Sequence, residues 1–123
     1  MTVQELYERI GGNYESAKRI LPMDKLIAKF VVKFLDDGSA PALFAAWDAK
    51  DAAGAFEGAH AMKGVCGNLG LDAMSEAASA ICEELRPGAA RTMDDAELAR
   101  RVGALKADYD RVIEGVRAFA AEQ

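Results

Sequence analysis

The chain has 123 residues, 63 of them hydrophobic, with 15 basic side chains against 20 acidic and a single histidine, His60. That length suits one domain spanning residues 1–123 with an apolar core, and no run approaches the ~20 apolar residues that a bilayer span needs. The net charge of −5 disfavours nonspecific binding to nucleic acid or anionic lipid.

The backbone class follows from side-chain shape. There are 25 alanines but only 14 valines, isoleucines and threonines together, and alanine favours helix where β-branched residues favour strand. An all-α fold is expected. The N-terminus, Met1-Thr2-Val3-Gln4-Glu5, has neither the basic start nor the apolar stretch of a secretion signal, so a cytoplasmic protein is expected. Residues 1–22 read as a short helical cap: Leu6, Tyr7 and Ile10, then Tyr14, Ala17 and Leu21, are broken at Gly11-Gly12 and stopped by Pro22.

Residues 23–121 read as an antiparallel up-down four-helix bundle. Leu26, Ile27, Phe30, Val31, Phe34 and Leu35 repeat at helical spacing and close at Asp36-Asp37-Gly38. Lys25, Lys29 and Lys33 recur every four residues on one face of that helix. They read either as a solvated stripe or as a flank of the surface around His60 if the two helices lie side by side. Ser39 is the expected N-cap of a helix bearing Leu43, Phe44 and Trp47, and Asp51 that of the next, which runs to about Asn68. After Leu69-Gly70 a helix from about Asp72 to Arg86 buries Met74, Ala78, Ile81 and Leu85, ending at Pro87-Gly88. Thr92-Met93-Asp94-Asp95 resembles a capping box. The last helix carries Leu98, Val102, Leu105, Tyr109, Val112, Val116 and Phe119 at alternating steps of four and three, a coiled-coil-like seam.

One histidine excludes zinc sites built on several imidazoles and the paired Glu-x-x-His motifs of carboxylate bundles. Cys66 and Cys82 lack Cys-x-x-Cys spacing and read as small buried residues rather than ligands or a disulfide. No Gly-x-Ser-x-Gly turn is present to carry a hydrolase serine. On a helix that turns about 100° per residue, Ala55, Met62, Val65, Cys66 and Leu69 mark a core face, with Gly58 and Ala59 toward it for close helix approach. His60 points away from that face.

Around His60 lie Ala53, Phe56, Glu57, Lys63, Gly64 and Gly67. Glycine inside a helix is less favourable than alanine by roughly 0.5–1 kcal/mol, and open access beside the imidazole is the compensation that Gly64 offers. Lys63, one turn on, places a cation where it disfavours imidazolium and can meet an arriving phosphoryl group. Phe56 reads either as half-buried against the next helix or as part of an apolar docking rim.

The string Ala59-His60-Ala61-Met62-Lys63-Gly64, continuing Val65-Cys66-Gly67-Asn68-Leu69-Gly70, resembles the signature of histidine-containing phosphotransfer (HPt) domains of bacterial phosphorelays. The resemblance is sharp over about a dozen residues; Met62 stands where leucine is usual, and Cys66 where alanine or serine is. It implies that His60 takes a phosphoryl group on its outer ring nitrogen and exchanges it with an aspartate of a response-regulator receiver domain. It further implies a histidine kinase as a partner, Lys63 as the phosphate-facing lysine, Gly64 as the glycine beside the ring, and Phe56, Glu57 and Gly67 on the docking surface. Where some members place a glutamine near the imidazole from the following helix, this chain has Cys82 or Glu83.

Such a domain is not an enzyme by itself. The helix offers a nucleophile and one lysine but no acidic cluster, so no cofactor or metal of its own is expected, and the receiver brings Mg²⁺ and its aspartates. Between Ala52 and Leu71 the only charges are Glu57 and Lys63, a neutral face suited to an acidic partner. A monomer is expected. Two other readings stand beside this one: a docking module that binds receivers without being phosphorylated, and a helical enzyme using His60 as a general base.

Overall fold

Side-chain caps open four of the seven α-helices. A computed structural model describes all 123 residues and contains no strand. Helix α1 spans Val3–Ile10, α2 Tyr14–Ile20, and α3 Asp24–Lys33, which tightens into a 3₁₀ turn over Phe34–Asp36. Then follow α4 (Ser39–Asp48), α5 (Ala52–Asn68), α6 (Asp72–Leu85) and α7 (Asp95–Ala121). The all-α expectation holds. Residues 23–121 contain five α-helices, however, one more than a four-helix layout counts.

Thr2 and Glu5 form a reciprocal capping box at the start of α1, and Gly11 closes that helix in the left-handed region at φ 71°. Asn13 caps α2 and Asp51 caps α5, each side chain accepting from the backbone N–H three residues on.

Two expected caps shift. Ser39 is the first residue of α4 rather than its N-cap, and its N–H and hydroxyl both donate to the Asp37 carboxylate. The charged carboxylate two residues upstream draws the Ser39 hydroxyl back as a donor, so it does not accept from the first turn of α4 as an N-cap would. At α7 the N-cap is Asp94, whose carboxylate accepts from the Glu97 N–H at 2.8 Å. Thr92 is turned the other way: its N–H and hydroxyl, with the Met93 N–H, donate to Glu84 at 3.1, 2.7 and 2.5 Å. Glu84 is only 6% exposed, and a buried carboxylate must collect donors to offset its lost hydration. The Thr92 hydroxyl and backbone hold its carboxyl below the usual range. Leu85, expected in the buried stripe of α6, is only half-buried beside it.

The largest helix contacts are those of α5 with α6 and with α4; α6 also packs on α7, and α7 reaches α1, α3 and α4. Together the helices bury one cluster of 28 apolar residues. The α5 contribution is made of small groups: Ala55, Gly58, Ala59, Met62 and Cys66. A Cβ on Gly58 would stand 2.7 Å from both the Cα and the backbone nitrogen of Leu43, so glycine is what lets α4 lie directly on α5. The α7 seam is buried as its spacing implies, with Tyr109 half-buried, and Ile113 and Gly115 join it.

The N-terminal helices are fastened to the turn that ends α5. Tyr7 donates its hydroxyl to the Leu69 carbonyl at 2.5 Å, the Asn13 N–H donates to the Gly70 carbonyl at 2.8 Å, and the Ser16 hydroxyl meets Asp72 at 3.2 Å. Gly70 takes φ 69°, and a Cβ there would strike the Asn13 carbonyl oxygen at 2.6 Å. No helix is long and apolar enough to cross a membrane.

Two stability measurements check this packing. Gly58→Ala is expected to lower unfolding free energy by about 1–3 kcal/mol, because the added methyl meets backbone rather than a movable side chain; an unchanged urea midpoint contradicts the close approach. Glu84→Gln addresses the buried carboxylate. A group whose folded pKa is depressed stabilises the protein above the unfolded carboxyl pKa of about 4.3, and that stability is lost as pH falls. The gap between wild-type and variant melting temperatures should therefore be widest at neutral pH and narrow toward pH 3.

Candidate functional site

The seam of small residues on α5 turns the opposite face outward, and His60 stands exposed on it. Three neighbours define the surroundings of the ring. Phe56, one turn earlier and half-buried, stacks on the imidazole with centroids 6.2 Å apart and planes 23° from parallel. On α6, Cys82 places its Sγ 3.9 Å from Nδ1. On the third side Gly64 is exposed, and a Cβ built there meets nothing within 4 Å.

The two ring nitrogens therefore differ. Nδ1 faces the buried sulfur, and because the nitrogens lie on opposite edges of an imidazole, Nε2 is directed away from α6. Burial pushes the Cys82 thiol up, with Glu83 adding to this and Arg86 and Lys63 opposing it. Cys66, deeper in the core, is pushed up to about 12 by burial. Both cysteines are free and buried, and no bridge joins them.

The charged surroundings are matched in sign. Lys63 is half-buried and Glu57 exposed on α5. From the residue that closes α6, the Arg86 guanidinium lies 5.4 Å from the Phe56 ring centroid and pairs with Glu83 at 2.7 Å. That pairing holds the Glu83 carboxyl below its usual range. Phe56 thus neighbours both the Arg86 guanidinium and the His60 imidazole.

The two glycines of this face play different parts. A Cβ on Gly67 would approach Ser75 Oγ at 3.3 Å, so its small size serves the packing of α5 on α6. Ser75 is drawn there by its hydrogen bond to the Lys63 carbonyl at 2.9 Å. Gly64 has no such neighbour. Elsewhere an apolar cleft of about 460 Å³ opens between the end of α2, α3 and α5, lined by Ile20, Leu21, Phe30, Val65 and Leu69 among others. Lys29 and Lys33 flank its Phe30, both within 5.6 Å of the ring centroid.

The structure brings together His60, Phe56 and Gly64 as the pattern on one helix implies. It adds Arg86, which helical periodicity on α5 had no means of revealing, and it selects Cys82 over Glu83 as the α6 residue facing the ring. No three His, Cys, Asp or Glu side chains gather where they would hold a metal ion.

An all-helical domain that offers one imidazole on an open, charge-balanced helix face is the architecture of a phosphotransfer module. Residues 27–115 match the family model of the Hpt domain, and the chain belongs to that family. Hpt domains act in histidine phosphotransfer within two-component phosphorelays, where they interact with receiver domains and kinases. They are phosphotransfer intermediates. No curated protein and no solved structure matches the chain. The matched segment begins inside α3, leaving α1 and α2 outside it.

Gly64 yields a test that separates folding from access. Gly64→Ala is expected to raise stability by about 0.5–1 kcal/mol, since a helical glycine is replaced where the new methyl touches nothing. Thermal or urea unfolding measures this, and a destabilised variant would show that Gly64 has a packing duty after all.

Proposed function

We propose that His60 is the phosphoryl acceptor and donor of a phosphorelay, exchanging the group with an aspartate of a response-regulator receiver domain. The observation that carries this reading is the placement of the chain's sole imidazole on the exposed face of α5, beside the open Gly64. The group binds at Nε2, the nitrogen turned away from α6. In the reaction the Nε2 lone pair attacks phosphorus and the bond to the aspartyl oxygen breaks, so the carboxylate leaves with the electron pair. In-line transfer sets Nε2, phosphorus and the departing aspartyl oxygen in a row, and the absence of a side chain at Gly64 leaves room beside the imidazole for the receiver to approach. Lys63 stabilises the charge on the phosphoryl oxygens.

The receiver brings Mg²⁺ and the acidic residues that hold it; this chain contributes the nucleophile, a lysine and a docking face. Phe56, Glu57 and the edge of α5 near Gly67 take part in that face. Its balance of Glu57 against Lys63 and of Glu83 against Arg86 suits an acidic partner, which a strongly negative surface would repel. A histidine kinase stands at the other end of the relay. The protein works as a cytoplasmic monomer, a single domain over residues 1–123. Its helical bundle lies within residues 23–121, and contacts of α4 with α5, α5 with α6, and α7 with α3, α4 and α6 support that reading. An antiparallel course is supported on α5 and α6 by Phe56 meeting Arg86, His60 meeting Cys82 and Lys63 meeting Ser75.

The test offers the protein a phosphorylated receiver domain with Mg²⁺. Acid-labile, alkali-stable phosphate should appear on the wild-type chain and be absent from His60→Gln. Labelling that persists in the variant removes His60 from the role; receiver binding with no transfer to the wild type favours a docking module instead.

A further inference from the structure

We propose that Cys82 is a positioning residue for the transfer, deciding which imidazole nitrogen of His60 meets the phosphoryl group. This rests on the phosphorelay reading of His60. An exposed histidine turns its imidazole over readily, and the two orientations present Nδ1 or Nε2 to a partner. Here one orientation is marked: Sγ of Cys82 lies 3.9 Å from Nδ1, within the reach of a sulfur hydrogen bond. Sulfur is a weak donor and a weak acceptor, so it accommodates Nδ1 in either protonation state.

The chemistry of the step makes that versatility useful. For Nε2 to attack, its lone pair must be free, and the proton of the neutral ring resides on Nδ1. Formation of the Nε2–P bond and loss of the aspartyl carboxylate leave a cationic ring that is still protonated at Nδ1. The Nδ1–H becomes a stronger donor at that moment, and the Sγ lone pair is placed to accept it. Burial keeps Cys82 as the neutral thiol, so the sulfur does not form a tight ion pair that would stabilise imidazolium before attack.

Neighbouring groups leave this duty to Cys82. Phe56 stacks on the ring face and, lacking polar atoms, does not distinguish the nitrogens. Glu83 is engaged with Arg86 at 2.7 Å. Cys82 is itself held in place, fully buried on the inner side of α6, so its sulfur is a fixed point against which the exposed ring is set.

The experiment uses the full chain, Cys82→Ala and Cys82→Ser, each phosphorylated by a small phosphoramidate, which needs no protein partner. Phosphorus–nitrogen NMR of the single phosphohistidine then reports which nitrogen carries the group. Wild type and Cys82→Ser should carry it on Nε2 alone, since the serine hydroxyl restores a lone pair near Nδ1. Cys82→Ala should carry a mixture of Nε2 and Nδ1 adducts. Its transfer from a phosphorylated receiver should slow by about five-fold, the loss of one modest hydrogen bond. Circular dichroism establishes that the variants are folded.

Exclusive Nε2 phosphorylation of Cys82→Ala, at the wild-type transfer rate, overturns the proposal and leaves the phosphorelay reading intact. A wild-type chain that accepts phosphate from the small donor but from no receiver overturns the phosphorelay reading, while the distribution between nitrogens still tests Cys82.

Discussion

The rotation of α5 is the constraint on which the site depends. Gly58 has the Leu43 backbone 2.7 Å from where a side chain would begin, and Ala55 and Ala59 on the same face are fully buried. Helices packed so closely do not turn about their axes without opening a gap or creating a clash. Once that seam is set, His60 is directed to solvent and Gly64 follows it one turn later. The site is exposed because the opposite face of its helix is locked.

On the α6 side the helices approach at Gly67, where a Cβ would come 3.3 Å from Ser75 Oγ. Larger residues along α5 would move α6 away, separating Cys82 from Nδ1 and Arg86 from Phe56. The α6 side contributes a matched ion pair rather than a net charge, so the surroundings of His60 remain balanced within a chain of net charge −5. The N-terminal helices fix the far end of α5 through Tyr7, Asn13 and Ser16. They lie outside the matched Hpt segment.

Periodicity and local chemistry were enough to read most of this architecture. The order of the helices and the breaks at Gly11-Gly12 and Leu69-Gly70 rest on interactions within about one turn, and the outward face of His60 is written in the apolar periodicity of its own helix. Features that rest on contacts distant in sequence were not legible. Glu84 resembles any helical glutamate until Thr92 and Met93 fold over it, and the capping box placed at Thr92 gave way to that demand. Gly67 and Gly64 are equivalent on a helical wheel; only Ser75 of α6 separates a packing glycine from an open one. Arg86 reaches the site across a helix boundary, beyond the span of any periodic pattern on α5.

The central claim is that this helix face exists to present one imidazole to a phosphoryl group. Intact-mass analysis after incubation with a phosphorylated receiver and Mg²⁺, followed by peptide mapping under alkaline conditions, tests it directly. The account predicts one phosphoryl group per chain, located on the peptide containing His60. Phosphate on any other residue, or an unmodified chain after full turnover of the donor, would contradict it.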